Sequence, residues 1–370
     1  MHKNMIQRRR LLAGAGIAAV FPGALCAESL TKAERWMPED SEFWDVVVVG
    51  SGLAGLTAAA SALDAGAKNV IVFEKGPVVG GHSLYSSGAV AAVAPERSKD
   101  KDDTVERFVK EAMEVGGGKG DPEILAKIGE KSALMLNWLE VLGIKWGEPF
   151  VAQPGKHVKS YAMAGKQAGQ KYVNVLADYV RSCGARVLVS SPVTQIEPTS
   201  CHWLVEAQTP EGRRVVKTRA FVIACGGFTA NVEARMKINP KLTADVRTTA
   251  NPNGKVFDGA TGEMIEMVGR EGAQITKGFG VQAGPFLGGD KVYVHTTLDG
   301  LRINQDAEVL TPEGTAMTGL FAAGECTGGI FGTDRLGGAG LMSCFVMGRE
   351  AGRQAAMRAK MLMESRRSCQ

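Results

Sequence analysis

The sequence contains no C-x-x-C pair and no C-x-x-C-H motif, although it has seven cysteines. The first absence argues against a redox-active cysteine pair, and the second argues against covalently bound haem. The chain also predicts no metal site. Disulfides stay open, because they form in oxidising compartments and no spacing here predicts a pairing. The cysteines are Cys26, Cys183, Cys201, Cys225, Cys326, Cys344 and Cys369.

An excess of charge is also missing once residues 1–27 are set aside. The whole chain has 43 basic and 39 acidic residues, but residues 1–27 contain four basic residues and no acidic one. The remaining chain is therefore neutral, which argues against a nucleic-acid partner. We expect no transmembrane segment in it.

The first 27 residues have the composition of an export signal. Arg8 to Arg10 precede a stretch of about 15 apolar or small residues, which is too short to span a bilayer comfortably. The adjacent arginines favour the twin-arginine route, which exports folded proteins. We therefore expect a periplasmic protein that can bind a cofactor before export. The alternative is a buried N-terminal helix.

Glycine is over-represented: the chain has 47 glycines, nearly twice the usual share of about 7%. The run that starts at Trp44 predicts a strand, a glycine turn, a helix and a second strand, in that order. Its sequence is WDVVVVGSGLAGLTAAASALDAGAKNVIVFEK. Gly50, Gly52 and Gly55 form G-x-G-x-x-G, and Glu74 ends the second strand. Such glycines let backbone N–H groups approach a pyrophosphate, while the acid accepts hydrogen bonds from ribose. The unit predicts a dinucleotide-binding domain.

The remaining pattern predicts an α/β fold, with a Rossmann-like parallel sheet and a β-meander insertion. A second glycine-rich and serine-rich run, GPVVGGHSLYSSGAV, could wrap an isoalloxazine ring; the alternative is a flexible surface loop. The predicted helices are 104–116, 122–143, 174–183, 262–272 and 341–363. The predicted strands are 45–49, 70–73, 185–189, 300–304 and 319–323, with a meander over 201–227 that ends in a buried strand at 221–224.

Further motifs make the sequence similar to the flavoprotein subunits of the fumarate reductase and succinate dehydrogenase family. Within it, the chain most resembles the soluble periplasmic fumarate reductases and urocanate reductases. The resemblance covers about residues 44–278 and 291–355. Its marks are GGHS at 80–83, ACGGF at 224–228, VHTTLDGLRIN at 294–304, AAGECTGG at 322–329 and GTDRLGGAG at 332–340.

The resemblance implies an FAD bound in an extended form and a set of site residues. Arg335 corresponds to the arginine that holds a substrate carboxylate over the flavin, and His295 to a second carboxylate-binding residue. The alternatives are a surface ion pair for Arg335 and a structural role for His295. Glu325 is expected near the ribityl chain, and the N-terminus of the last helix, from about Gly340, at the N1/C2=O edge of the flavin. The expected cofactor-binding residues are Gly50, Gly52, Ala54, Gly55, Glu74, Lys75, Gly81, His82, Ser83, Ser87, Gly88, Ala224, Gly226, Gly324, Glu325, Gly340 and Leu341.

The sequence departs from the family between the two halves of the FAD domain. Relatives carry a capping domain there, which closes over the substrate and supplies a proton-donating arginine, whereas this chain has residues 279–290. Twelve residues cannot form a domain. Gly284 also stands where a histidine is expected. Candidate substitute acids are His157, Lys159 and Tyr161, each of which has a surface role as its alternative.

The expected organisation is an export signal at 1–27, a linker at 28–44, FAD-binding parts at 45–278 and 291–362, a cap remnant at 279–290 and a tail at 363–370.

The function expected from this resemblance is reduction of a small α,β-unsaturated carboxylate by hydride transfer from flavin N5. Because the chain has no haem motif, electrons would come from a separate donor, such as a c-type cytochrome or a quinol dehydrogenase. Two alternatives stay open: a dehydrogenase or oxidase on the same scaffold, and a non-catalytic flavoprotein that carries electrons. The short segment at 279–290 favours the last of these, whereas Arg335 and His295 favour an enzyme, either a divergent one or one with a cap supplied by a partner.

The arginine run gives a first testable prediction. Lysine keeps the positive charge but not the planar guanidinium, so replacing Arg8, Arg9 and Arg10 by lysine separates twin-arginine recognition from general charge. We expect the triple variant to stay in the cytoplasm, as measured by cell fractionation, while the parent protein reaches the periplasm without residues 1–27. Normal export of the triple variant would contradict the assigned route.

Overall fold

The computed structural model describes residues 41–163, 168–285 and 289–367, all within one compact unit. The expected export signal and all but the end of the expected linker lie outside these residues. The strands are β1 (Glu42–Val49), β2 (Val70–Phe73), β3 (Val90–Ala91), β4 (Phe150–Val151), β5 (Lys159–Tyr161), β6 (Arg186–Leu188), β7 (Val193–Pro198), β8 (Trp203–Thr209), β9 (Gly212–Ile223), β10 (Val281–Pro285), β11 (Val292–Thr297), β12 (Glu308–Leu310) and β13 (Ala316–Ala322). The helices are α1 (Leu53–Asp64), α2 (Pro95–Ser98), α3 (Val105–Val115), α4 (Pro122–Val141), α5 (Ala168–Ser182), α6 (Val232–Ile238), α7 (Glu263–Arg270) and α8 (Ala339–Arg367).

The main sheet has the strand order β12-β13-β9-β1-β2-β6. Strands β13, β9, β1, β2 and β6 run parallel to one another, and β12 pairs antiparallel with β13. The run Val46–Val49 in β1 is buried, as the β-branched pattern predicts for a parallel strand covered on both faces. Within the meander predicted over 201–227, β8 and β9 pair antiparallel, and β7, which pairs antiparallel with β8, lies before the predicted range. The fold is the α/β class expected from the sequence.

One predicted strand, 300–304, is wrong. Leu301 bridges Ile275 and Thr327, whereas Ile303 bridges Val309, so neighbouring residues pair with different segments. Residues 300–304 therefore make isolated bridges instead of the continuous hydrogen-bond ladder of a strand. Gly300 also packs against the backbone at Cys326, where an added Cβ would lie 2.4 Å from the Cys326 carbonyl oxygen.

Residues 281–285, within the segment expected to be a cap remnant, form β10, which pairs antiparallel with β11. Sequence periodicity did not predict either strand. Val281 is opposite Thr297, and Pro285 is opposite Val292. This pairing places the segment beside β11, the strand that carries His295.

Helices α1 and α8 pack closely because small residues meet where they cross. Gly348 and Gly352 lie one helical turn apart on α8 and face Ala54 and Ala58 of α1. A Cβ added at Gly352 would lie 2.0 Å from the Ala58 carbonyl oxygen, and one at Gly348 would lie 2.7 Å from that of Ala54. The two helix N-termini are thereby held on the same side of the sheet, next to its glycine turns.

This contact gives the second prediction. Replacing Gly352 by alanine adds a methyl group with no space, and overpacking of this kind costs about 1–3 kcal/mol. Alanine recovers up to about 1 kcal/mol through its better helix propensity. We expect a net loss of about 1 kcal/mol, seen as a lower urea midpoint. Met357→Ala, at an exposed position of the same helix, should change the midpoint little; a Gly352→Ala protein as stable as the parent would contradict the packing argument.

Candidate functional site

A cavity of about 360 Å³ opens at the carboxyl ends of the parallel strands. Val49, Ala224 and Ala323, which end or follow β1, β9 and β13, line its floor. Ligands of open α/β sheets bind at this edge, because the turns there leave backbone groups exposed. The cavity is therefore the first candidate for a functional site.

The glycine turn after β1 has the shape that a pyrophosphate requires. Gly50 has φ of +99°, and a Cβ there would lie 2.2 Å from the Ala224 carbonyl oxygen. A Cβ on Gly55 would lie 2.0 Å from the Gly50 carbonyl oxygen. Around Gly52, in contrast, the nearest neighbour of an added Cβ is the Ser83 hydroxyl at 3.6 Å. The first and third glycines are thus needed for packing, while the second leaves room for a ligand at the N-terminus of α1.

Glu74 lies at the end of β2 and is buried against the same turn. Its Oε2 accepts hydrogen bonds from the Ser51 backbone N–H (3.0 Å) and the Ser51 hydroxyl (2.7 Å), and its Oε1 accepts one from the Gly76 N–H (2.7 Å). An ionised carboxylate has about four acceptor positions. Glu74 therefore fixes the turn and keeps capacity for a ribose hydroxyl, as the dinucleotide pattern predicts.

The glycine-rich and serine-rich run after β2 is held in place and contributes to the cavity wall. Gly81–Tyr85 forms a 3₁₀ helix, the Gly80 N–H donates to the Ser51 hydroxyl (3.0 Å), and the Ser83 hydroxyl accepts from the Leu53 N–H (3.1 Å). A Cβ at Gly88 would lie 2.2 Å from that of Ala168. These contacts argue against a flexible surface loop.

Two acidic residues and a lysine take part in the polar wall. The Glu325 carboxylate accepts from the Thr297 N–H (3.0 Å) and hydroxyl (3.2 Å). Lys75 donates to the Thr261 hydroxyl (2.7 Å) and pairs with Glu263. Glu325 therefore faces the cavity from the loop after β13, in a position fixed by β11.

Arg335 lies in the cavity wall next to the first turn of α8. A Cβ at Gly340 would lie 2.3 Å from a guanidinium nitrogen of Arg335, so glycine is required for the side chain to lie there. Gly338 has φ of +82°, and its carbonyl accepts from the Ala91 N–H. Burial lowers the pKa of Arg335, while the carboxylates of Glu325 and Asp334 act in the opposite direction. The glycines around this arginine thus let the chain turn sharply and bring a guanidinium into the site.

His295 lies on β11 and faces the same part of the cavity. Its Nε2 is 3.0 Å from the Gly284 carbonyl oxygen on β10, to which it donates. Burial lowers the pKa of His295, and the positive charge of Arg335 lowers it further. The lowered pKa favours the neutral imidazole, whose one N–H is the Nε2–H that donates to Gly284, so that Nδ1 is then an acceptor.

His82 is held by a residue that the sequence analysis missed. His82 Nε2 lies 2.6 Å from Asp258 Oδ1, and the other Asp258 oxygen accepts from the Thr248 hydroxyl. The signal in the sequence was the acid in FDGATG, directly before α7. No known motif links Asp258 to His82 by a fixed spacing, so the sequence alone could not predict that the two residues pair.

The structure brings nearly all of the predicted site residues to this one cavity. Gly55 and Gly88 are the exceptions: they pack behind the wall rather than line it. The predicted residues that line the cavity are Gly50, Gly52, Ala54, Glu74, Lys75, Gly81, His82, Ser83, Ser87, Ala224, Gly226, His295, Gly324, Glu325, Arg335, Gly340 and Leu341.

The three candidate substitute acids lie elsewhere. His157 pairs with Glu111 (3.0 Å), and Lys159 pairs with Asp100 (3.3 Å). Tyr161 is buried, and burial raises its pKa to about 12. None of the three lines the cavity. Their contacts therefore indicate structural roles rather than proton donation to a substrate.

Among the described residues, no three or more His, Cys, Asp or Glu side chains are grouped so that they could ligate a metal ion. Over the same residues, no helix combines the length and apolar character needed to span a membrane.

Comparison with known proteins gives a family model described as FAD binding domain, which matches residues 45–287 and 291–341. An acrylate reductase flavoprotein subunit of Shewanella woodyi is 28% identical over 305 residues, which is 78% of this chain and 58% of that protein. A probable fumarate reductase, Ifc3, of Shewanella frigidimarina is 29% identical over 276 residues, which is 72% of this chain and 46% of that protein. The chain thus spans about half the length of these two relatives.

A urocanate reductase of Eggerthella lenta is 26% identical over 485 aligned positions, covering 91% of this chain and 79% of that protein. The alignment is longer than the chain, so this relative contains internal segments that have no counterpart here. Among solved structures, the open conformation of a flavocytochrome c3 fumarate reductase matches with a TM-score of 0.75 at 22% identity, over 86% of this chain and 79% of that one. That match shows the fold.

The residues of the cavity fit FAD, and the third prediction concerns how it is held. His82 is the histidine to which a flavin could be linked, but its Nε2 is engaged by Asp258. We expect non-covalent FAD, near one per chain, that acid precipitation releases into the supernatant with its absorbance spectrum. Flavin that stays with the precipitated protein, and is released once His82 is replaced by glutamine, would contradict this.

Proposed function

The chain belongs to the FAD binding domain family, and on that premise we propose that it is an FAD-dependent oxidoreductase that reduces a small α,β-unsaturated carboxylate. The observation that carries the proposal is the convergence of Arg335 and His295 at one end of the cavity, beside Glu325 and the N-terminus of α8. The reductase names of the similar proteins agree with it.

In this proposal the cavity binds FAD along the two glycine turns and the substrate at the end formed by Arg335. The bound flavin supplies a hydride to the alkene. Arg335 holds the substrate carboxylate through two parallel N–H···O bonds, which a planar guanidinium matches in geometry. Because Nε2 of His295 already donates to the Gly284 carbonyl, a further hydrogen bond to the carboxylate comes from Nδ1 and requires a proton there when the substrate binds. Substrate and hydride donor are then held at a fixed distance.

The backbone at the start of α8 has a second role in the proposal. The N–H groups of the first turn of a helix have no partner within the helix and carry a partial positive charge. Gly340 and Leu341 bring this end of α8 to the cavity wall. Negative charge that develops in the cavity during reduction is thereby stabilised by groups that need no rearrangement.

The proposed domain organisation is a single FAD-binding domain in two parts, 45–278 and 291–362, with 279–290 in place of a capping domain. The proton that completes reduction of an alkene would then come from solvent or from a partner that covers the site. A water-filled site weakens each charge-assisted contact, so the enzyme is expected to be slower than a capped relative. The short segment 279–290 also supports the second candidate function, a flavoprotein that carries electrons without an enoate substrate.

We further propose that the protein is exported and receives electrons from a separate donor, such as a c-type cytochrome or a quinol dehydrogenase. The composition of residues 1–27 and the absence of a haem-attachment motif from the sequence support this. Two similar proteins from Shewanella frigidimarina carry the name fumarate reductase (cytochrome).

The fourth prediction tests the carboxylate clamp. Loss of a bidentate, charge-assisted pair costs about 2 kcal/mol, or about 30-fold in rate. Arg335→Lys and Arg335→Met should therefore retain FAD but lose about this factor in enoate-dependent reoxidation of the dithionite-reduced protein, with methionine the more severe. Anaerobic stopped-flow absorbance with a panel of enoates measures this directly.

Arg353→Lys serves as the matched control, because Arg353 is exposed and pairs with Glu350 on the outer face of α8. It should reoxidise at the parent rate. If the Arg335 variants reoxidise as fast as the parent with its best enoate, Arg335 is structural. If the parent itself binds FAD but reduces no enoate, the electron-carrier function replaces the proposed one.

A further inference from the structure

His82 and Asp258 form a partly buried polar pair that the proposed reduction does not use. The atoms Nε2 and Oδ1 lie 2.6 Å apart, and both side chains are largely shielded from solvent. Asp258 is fixed from its other side by the Thr248 hydroxyl and receives a longer contact from the Ala260 N–H (3.4 Å). The pair is therefore held rigidly and does not depend on a surface rotamer.

The segment before Thr248 is anchored by a buried arginine. The Arg235 guanidinium donates to the carbonyl oxygens of Leu242 (2.9 Å), Thr243 (2.6 Å) and Val246 (2.6 Å). Thr248 then bridges to β11 at Val294. Asp258 is thus fixed by the surrounding backbone. His82 is the member of the pair that also lines the cavity.

The pair has a direction with respect to the cavity. His82 lines the cavity, whereas Asp258 lies behind it and does not reach the wall. An imidazolium in this position presents positive charge to a bound cofactor, with its counter-charge on the far side. Such an arrangement stabilises added negative charge in the cavity even though the pair as a whole is neutral.

The charges that act on His82 favour its protonated form. Burial alone would lower the pKa of His82, but the hydrogen bond to Asp258 and the negative charges of Glu325 and Asp258 raise it above its ordinary value. Burial opposes ionisation of Asp258 too, yet the contact with His82 lowers the pKa of Asp258 below its usual value. Asp258 and Glu325 are the charged groups that face the imidazole from the neighbouring elements.

We propose that the His82–Asp258 pair couples proton uptake to reduction of the flavin, with Asp258 as the positioning residue that keeps the imidazole aimed at the cavity. The inference rests on the binding of FAD that the proposed function assumes, but not on reduction of an enoate. Two electrons from a donor bring negative charge into the cavity, and a proton from solvent then binds Nδ1 of the imidazole wherever His82 was neutral before reduction. Nε2 keeps its proton throughout, because it donates to Asp258.

The test is the midpoint potential of the FAD-loaded protein between pH 5 and pH 9, measured by dye equilibration with dithionite. In the parent protein we expect an interval in which the potential falls more steeply with pH, by up to one extra proton per two electrons. The interval lies between the pKa of His82 with oxidised flavin and its higher pKa with reduced flavin. His82→Gln should have a lower potential and no such interval.

The variant Asp258→Asn tests the negative charge of Asp258 separately from the shape of its side chain. The amide keeps a hydrogen-bond partner but removes the anion, so His82 loses proton affinity and the steep interval should move to lower pH. In the double variant, the added His82→Gln change should remove this shifted interval. His157→Gln is the matched control, since this histidine also pairs with a carboxylate but lies away from the cavity; its potential should follow the parent at every pH.

A second measurement needs neither flavin nor substrate. Titration of ¹³C-labelled histidine by NMR in the apo-protein should show the His82 resonance with a pKa above that of a free imidazole, shifted downward in Asp258→Asn. An unshifted His82 resonance, or an equal slope of potential against pH in the parent and in His82→Gln, would overturn the proposal. Covalent attachment of flavin to His82 would also overturn it. A parent with the expected slope but no enoate activity would reject the proposed function and leave this inference standing.

Discussion

The close approach of two backbone segments, the turn after β1 and the turn after β9, determines the geometry of the site. Gly50 packs so tightly on the Ala224 carbonyl that any side chain would displace one of the two strands. Gly55 packs equally closely on Gly50. These contacts fix the N-terminus of α1 at the carboxyl edge of the sheet, where its N–H groups meet the cavity. Glu74, hydrogen-bonded through Ser51, then connects the same turn to β2.

The cavity is also an arrangement of charge. Arg335 and the N-terminus of α8 supply positive charge at one end, and Glu325 lies between this end and His82. Three side chains of the cavity have partners that hold them: Thr297 for Glu325, Asp258 for His82 and the Gly284 carbonyl for His295. Fixed dipoles and charges act on a bound group without reorganisation, and this is the property that an electron-accepting site requires.

The structure shows how residues 281–285, within the segment expected to be a cap remnant, are held. Residues 281–285 pair with 292–297 as an antiparallel ribbon, so the chain returns at once to the strand that carries His295. The Gly284 carbonyl accepts the hydrogen bond from His295 and orients the imidazole, while burial lowers the pKa of His295.

The sequence by itself determined the parallel strands, the glycine turn, the helix after it and the residues of the two late motifs, because those signals are local: a β-branched run, glycines at fixed spacing and an acid at a strand end. It failed at 300–304, where bridging partners come from three separate segments, and at β10, whose pairing depends on β11 rather than on its own periodicity. It could not find Asp258, which is 176 residues from His82. Tertiary structure alone decided that pairing, and with it the proton affinity of the imidazole, because proton affinity depends on which groups the fold brings within hydrogen-bonding distance.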